Sequence, residues 1–539
     1  MKKLAVLIPR PNQSFHVHFA VIAAAVMVKR GNTVDVVVCN NSESYCSTKF
    51  AYNVNEEKGS CSPCDAGIHH LKIIWEATRK FMDIEEKSRY SLILTSAEYE
   101  KEIATEEEVE LEYKKLDQLY GGTIDQGAEV IDWLSEACTI TGLTPKDLSV
   151  NGRSDLVIAQ IKMTIRQRKL AARMISERQL RGLLLYNGRI SAAKAWASTF
   201  RANKLVFIVH ERGLHPDSFT LNKNWTVEEH FRILPESFYP TQRKIEDIVN
   251  GHSDVEIFNS FLNYISPKLT GEGSYYNYKP IRAEVRRDDI KVQRNSEEIG
   301  KKHILILASS YDEVSSPMPF DRIRLEEEYI CSLVETLTTI NSVVEELETV
   351  VIRFHPRSGT QLMNSKAKGG CYAEFISRLK ATEMNHSGIL KVIEPDDVTT
   401  GCTSYELLRN SSHVISLFSI TAIEAAAMGK KSICHKRCRG SNVFRSVLDG
   451  NTAGVVVDST LKWLMQRNDE EERNRVKRMA RAYLGKYLES QYIYPNSFKG
   501  FYPYNGNLYH ENLSKSLNEG TWLDDDSWID MDEKFNGNV

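Results

Sequence analysis

Short apolar, β-branched runs at 4–8 and 33–38 flank an apolar helix over 19–29 that stops at Gly31. Strand, helix and strand in that order predict a βαβ unit, and so a parallel sheet covered by helices. The stretch 71–182 has helical spacing and high charge, with long periodic runs at 103–120 and 155–181. Alternation returns with a strand at 182–186, a helix at 191–200 and a strand at 204–209. A charged stretch poor in apolar residues, 283–302, marks a domain boundary. A second series follows, with a strand at 303–308, a helix at 323–346 and strands at 349–354 and 390–393. An amphipathic helix around Tyr405, Leu407 and Leu408 then leads to a strand over 413–417. A helix of small residues over 422–428 and strands at 432–435 and 454–457 come next, and a helix over 469–489 closes the series. The remainder is rich in Tyr, Asn and Gly and ends in an acidic tail, Asp524, Asp525 and Asp526, predicted to be loosely held.

This order predicts an α/β protein with two Rossmann-like domains facing across a cleft and a helical insertion in the N-terminal half. The domains are placed at 1–285 and 300–490, with 491–539 as an appended segment. A chain of 539 residues requires more than one core, since single cores stop growing at about 250–300 residues. Apolar residues at 42% and charged residues at 26% suit a soluble globular protein, and a net charge of −3 gives no reason to expect nucleic acid as a partner. No apolar run reaches the roughly 18–20 residues that span a bilayer. The opening apolar run breaks at Pro9-Arg10 and reads as a strand rather than a leader. Ten cysteines in this length do not form a disulfide framework, which predicts a cytoplasmic protein, with a peripheral place at the inner face of the membrane as the alternative.

Two local features have competing readings. Cys39, Cys46, Cys61 and Cys64 could offer thiolates to a structural zinc, but the first pair is wider apart than the usual roughly two to four residues, so reduced thiols are favoured. The basic run holding Lys162, Arg166, Arg168, Lys169, Arg173, Arg178 and Arg181 could meet a membrane surface or an anionic acceptor. Acidic and polar residues interrupt it, which favours a solvated face.

The candidate chemistry gathers at strand ends, where ligands of open parallel sheets bind. The strand at 413–417 delivers Ser416, Ser419 and Thr421 to the first turn of a small-residue helix. Main-chain N–H groups and the positive helix end there predict a phosphate site. Glu424, one turn on, is placed for a ribose hydroxyl. Ser309 and Ser310 follow the strand at 303–308, and His355, Pro356 and Arg357 follow the strand at 349–354. In the N-terminal half, Asn12, Ser14, His16 and His18 lie in the loop after the first strand, which lacks a G-x-G-x-x-G dinucleotide fingerprint. Asn187 and Arg189 end one later strand, and Glu211 and Arg212 follow another. Glu211 is the first candidate for a general base and His18 the second. An ion pair of Glu211 with Arg189 or Arg212 is the alternative.

These motifs resemble those of the capsule polysaccharide biosynthesis glycosyltransferases, whose relatives include bacterial Kdo transferases using CMP-Kdo. The resemblance covers both halves: N-G-R at 187–189, E-R-G at 211–213, S-S-x-D-E at 309–313, His355-Pro356, S-Y-E-L-L at 404–408 and S-L-F-S-I-T-A-I-E-A at 416–425. It implies a GT-B fold and a nucleotide-sugar donor. The transfer it implies builds capsule or lipopolysaccharide on a glycan or lipid-linked acceptor, inverting and needing no metal or other cofactor. It also implies that His355 and the Ser/Thr groups hold the nucleotide. A nucleotide-sugar 2-epimerase and a non-catalytic nucleotide- or glycan-binding subunit of a synthesis complex share the two-domain shape and stand as alternatives.

Overall fold

The computed structural model describes residues 2–11, 14–39, 62–95, 102–120, 131–134, 136–137, 148–149, 154–188, 190–213, 215, 217–224, 240–269, 303–309, 322–341, 349–354, 371–385, 390–393, 404–436, 438, 440–450, 452–466, 469–499, 506–523 and 525–536. The chain divides into two compact units, one of 1–230 with 491–539 and one of 231–490. Each is α/β and built on its own sheet, as the alternation of runs predicts.

The strands of the first unit are β1 (Lys3–Ile8), β2 (Thr33–Val38), β3 (Tyr90–Leu94), β4 (Gly182–Tyr186), β5 (Val206–Arg212) and β6 (Phe219–Lys223). Those of the second are β7 (His303–Leu307), β8 (Thr349–Arg353), β9 (Leu390–Ile393), β10 (Ser411–Ser416) and β11 (Lys431–Cys434). The short β12 (Tyr492–Ile493) returns to the first unit, whose sheet runs β12-β6-β5-β4-β1-β2-β3. Strands β1 to β5 pair in parallel, while β6 and β12 extend the edge antiparallel. The second sheet, β11-β10-β7-β8-β9, is parallel throughout.

Because strand side chains alternate between faces, a continuous apolar run serves two cores at once. Leu4, Val6 and Ile8 of β1 join the core built with helix Ser14–Lys29, whereas Ala5 and Leu7 join the one that includes Met174, Trp196 and Phe200 of helices Asp155–Arg178 and Ser191–Ala202. In the second unit Ile304 and Ile306 pack with helices Arg322–Asn341 and Ala453–Met465, and Leu305 and Leu307 with Leu407, Leu408 and Ala425.

Several boundaries differ from expectation. The first helix begins at Ser14, so His16 and His18 are helical rather than in a loop. Both are buried among aromatic rings, and for that reason two polar letters disguised the helix start. The strand placed at 204–209 starts at Val206, after Lys204 has taken a left-handed φ of 55°, and continues through Glu211 and Arg212. Residues 454–457 are helical, part of Ala453–Met465: Val456, Thr460 and Trp463 are buried at helical spacing, which overrides the β preference of consecutive valines. Helix Glu470–Ala482 passes into a π-turn at Tyr483–Tyr487.

The domain ends also move. Helices Gln242–Gly251 and Asp254–Leu269, assigned from sequence to the N-terminal domain, belong to the second unit. The segment 491–539 is part of the first unit, and described residues of its acidic end are packed against that unit. Trp522 and Trp528 are fully buried against the first helix and the sheet, and Asp525 of the acidic tail accepts N–H bonds from Asn496 and Ser527. Trp528→Ala should therefore cost about 3–5 kcal/mol, the usual range for emptying a buried Trp site. Chemical denaturation of the whole chain reads it, and an unchanged midpoint would mean a tail that contributes nothing to the fold.

Candidate functional site

In the second unit the candidate groups stand after the carboxyl ends of β7 and β10. Ser416 ends β10 and is buried. Its hydroxyl donates to the Leu307 carbonyl (3.1 Å) and accepts the Ser419 N–H (3.3 Å), which ties β10 to β7. The turn that follows bonds itself. Ser419 Oγ accepts the Thr421 N–H (3.3 Å) and lies 2.9 Å from Thr421 Oγ1. The N–H groups of Ala422, Ile423 and Glu424 reach the Ser419 and Ile420 carbonyls. The main-chain donors expected to be open to phosphate are thus engaged within the turn. The half-buried Ser419 and Thr421 hydroxyls are the groups left for a ligand to contact.

Glu424 sits one turn on, in helix Thr421–Ala427, and is only 1% exposed. Its Oε1 accepts from the Tyr264 hydroxyl (2.5 Å) and the Lys268 ammonium (2.6 Å), and its Oε2 from the Tyr405 hydroxyl (3.0 Å). Burial alone would push this carboxyl up. Lys268 first, then the hydroxyl donors, outweigh burial and hold it below the ordinary carboxylate range. The sequence reading missed Tyr264 and Lys268; their i, i+4 spacing on helix Asp254–Leu269 was the available signal.

Ser309 is also engaged. Its N–H (3.1 Å) and hydroxyl (2.9 Å) donate to Glu326 Oε1, a buried carboxylate on helix Arg322–Asn341. That places a carboxyl group beside Ser309, where phosphate contacts were expected. Ser310, His355, Pro356 and Arg357 lie outside the described residues.

The first unit gathers a different set at the ends of β4 and β5. Asn187 takes a left-handed φ of 62°, which Asn tolerates better than most residues, and Gly188 follows at 70°. This turn lets the Asn187 N–H donate to the His210 carbonyl (2.9 Å) and its side-chain amide to Glu211 Oε2. Glu211 Oε1 accepts the Arg212 main-chain N–H at 2.9 Å. His16 Nε2 lies 3.7 Å from the same oxygen, and the Glu211 side chain is 19% exposed. A side chain at Gly213 would collide with Ser218, which keeps the β5–β6 hairpin tight. Arg189 lies outside the described residues.

Beneath Glu211 the imidazoles are neutral. Burial first, then His210 and Arg212, hold His16 well below the ordinary value, and burial lowers His210 to about 3. His18, the second candidate base, is turned to a different partner. Its Nδ1 meets the Tyr509 hydroxyl at 2.5 Å, and burial, then His70 and His510, lower it to about 3. A buried imidazole that weakly basic is a poor proton acceptor, and the histidine beside Glu211 is His16, not His18.

Much of the basic run is paired with carboxylates of the same unit. Arg168 binds Glu112 (2.6 Å) and Asp132 (2.7 Å), Lys169 binds Glu108 (2.8 Å), Arg173 binds Glu102 (2.7 Å) and Lys162 binds Glu106 (2.6 Å). Those cations face carboxylates on or beside helix Glu106–Tyr120 rather than an anionic surface. Of the candidate zinc ligands, Cys39 and Cys64 are described, and Cys46 and Cys61 lie outside the described residues. Among the described residues no cluster of His, Cys, Asp and Glu is arranged to hold a metal, and no helix is long and apolar enough to cross a membrane.

No family model matches the chain, and no curated protein matches it. Among solved structures it is similar to a UDP-GlcNAc 2-epimerase from Neisseria meningitidis, at 11% identity over 91% of this chain and 99% of the other, with a TM-score of 0.27. It is similar to the beta Kdo 2,4 transferase KpsC of Thermosulfurimonas dismutans at 14% identity, over 62% and 87% of the two chains, with a TM-score of 0.27. A UDP-forming trehalose-phosphate synthase from Burkholderia xenovorans is 10% identical over 99% of each chain, with a TM-score of 0.36. At these scores the likenesses assign neither activity nor substrate to this chain.

The neutral histidines make a pH dependence. Unfolded, His210 titrates near 6.5; folded, near 3. Between those values acid protonates the unfolded chain and not the folded one, so the stability held above pH 6.5 is lost as pH falls. His210→Phe removes the group, and from pH 7 to pH 5 the variant should gain about 2 kcal/mol relative to the parent. Urea denaturation at the two pH values measures it; a constant difference would mean that His210 is not held neutral.

Proposed function

We propose that this protein is a glycosyltransferase of bacterial surface polysaccharide synthesis. It moves a sugar from a nucleotide sugar, CMP-Kdo-like by the resemblance of its motifs, to a glycan or lipid-linked acceptor. The observation that carries the donor half of this reading is the turn after β10. There two half-buried hydroxyls, Ser419 and Thr421, stand 2.9 Å apart at the end of a parallel strand and one helical turn before the Glu424 carboxylate. Hydroxyls and a carboxylate at that spacing suit the phosphate and ribose of one nucleotide. Ser310, His355, Pro356 and Arg357 are assigned to the same donor from the sequence.

The catalytic half is Glu211. Its carboxylate is oriented by the Asn187 amide and the Arg212 N–H, and it keeps some exposure, as a base acting on a bound hydroxyl requires. In the reaction the acceptor oxygen attacks the anomeric carbon and its proton passes to Glu211. The bond from that carbon to the phosphate oxygen breaks, and the electron pair leaves on the phosphate. One displacement inverts the anomeric centre. Ser419, Thr421 and Arg357 stabilise the leaving phosphate without a metal, each such oriented donor contributing up to about 3 kcal/mol.

Two measurements test this. In a thermal-shift panel of CMP, UDP, GDP and dTDP, CMP should stabilise most, by about 2.7 kcal/mol at a hundred times its dissociation constant. Glu211→Gln should lower turnover by about 10²–10⁴-fold with CMP affinity unchanged. Turnover near the parent value would remove Glu211 as the base. A 2-epimer formed from donor alone would replace the transferase with an epimerase. Binding without transfer to any acceptor would leave a binding subunit.

A further inference from the structure

The bonding around Glu424 sets a condition on any donor that uses it. A carboxylate offers about four acceptor positions, and here Tyr264, Lys268 and Tyr405 occupy three of them. A ribose diol brings two hydroxyls, so one protein donor has to leave. The two tyrosine hydroxyls are carried on rigid rings packed into the unit. Lys268 has a flexible four-carbon stem and a side chain 13% exposed. Its ammonium lies 4.0 Å from the centre of the Tyr264 ring, a contact that can follow a short excursion of the charge. It is also the one donor of the three whose departure strands a charge, and the donor's phosphate is an anion able to receive it.

We propose that Lys268 is a donor-binding residue that exchanges partners. In the free protein its ammonium is held on Glu424; when the nucleotide enters, it passes to the phosphate and the ribose hydroxyls take its place on the carboxylate. This rests on the donor-site reading above. The exchange keeps the lysine's charge on an anion and replaces its hydrogen bond to the carboxylate with hydroxyl donors. Lys268 moves from one anion to another, and Glu424 ends with two tyrosine and two ribose hydroxyls, all four acceptor positions filled. It also makes recognition of the two ligand parts interdependent. A nucleoside supplies hydroxyls but strands the lysine, and free phosphate draws the lysine away but leaves the carboxylate short of a donor. The exchange therefore selects an intact ribonucleotide over its deoxy counterpart and over its fragments.

The test needs no variant to begin. Calorimetric dissociation constants of the unaltered protein for CMP, 2′,3′-dideoxy-CMP, cytidine and 2′,3′-dideoxycytidine form a cycle in the ligand. The phosphate should improve affinity at least about tenfold more when the ribose hydroxyls are present. Independent, multiplicative contributions would overturn the exchange while leaving the donor site in place. Failure of the unaltered protein to bind any nucleotide of the panel would overturn both readings. In Lys268→Gln, CMP affinity should fall at least about tenfold while cytidine affinity holds or rises. Equal loss for both ligands would make the lysine a structural partner only. Lys268→Arg, which keeps the charge, should retain more CMP affinity than Lys268→Gln.

Discussion

A carboxylate sealed inside a protein has to be met by donors, and in the second unit that requirement falls on Glu424. Leaving it without its ammonium partner would cost on the order of 3–5 kcal/mol. The helix that carries Lys268 and Tyr264 is therefore bound to the small-residue helix that carries Glu424. Other contacts follow the same alignment. Ser260 donates to Glu489 (2.9 Å), Arg478 pairs with Asp254 (2.5 Å), and Asn442 donates to the Pro240 carbonyl (3.0 Å). Gly485, in the π-turn, comes so near Ser260 and Phe261 that a Cβ would sit 2.8 Å from the Phe261 nitrogen. Helices 242–269 are thus fastened to a sheet whose first strand comes later in the chain.

At the ends of β4 and β5 the first unit treats polar groups differently, burying imidazoles in their neutral form. His16 and His210 lie among Tyr186, Phe19 and Phe219. The charge at this strand end stays on Glu211, held by an amide and a main-chain N–H. A cationic histidine beside it would form a closed ion pair; a neutral one leaves the carboxylate's charge available.

What the sequence made legible was what neighbouring residues decide. Strands β1, β2, β4, β7 and β8 each hold an apolar run of at least three residues, and the alternation of strands with helices implied two parallel sheets. Strand β3 lies inside a charged helical region and β12 is two residues long, and neither stands out from its surroundings. At the candidate sites the residue types were visible and their partners were not. Ser309 after a strand looks like a phosphate ligand until Glu326, 17 residues on, takes its N–H and hydroxyl. Lys268 is 156 residues from Glu424, and no local pattern joins them. His16 and His18 are two helical steps apart, about 200° around the axis, enough to put one beside Glu211 and the other against Tyr509.

The first unit is discontinuous, and that has a consequence for how the protein is made. Domains generally fold as they emerge from the ribosome, the N-terminal one first. Here 231–490 is complete before 491–539 has been synthesised. Until β12 and the segment bearing Trp522 and Trp528 arrive, β6 lacks its outer partner and the apolar helix Ser14–Lys29 lacks part of its cover. The order of completion is inverted: the unit begun first is finished last. From the completion of β6 until that segment arrives, the nascent chain exposes an open strand edge and an uncovered apolar face, surfaces prone to mispairing and aggregation.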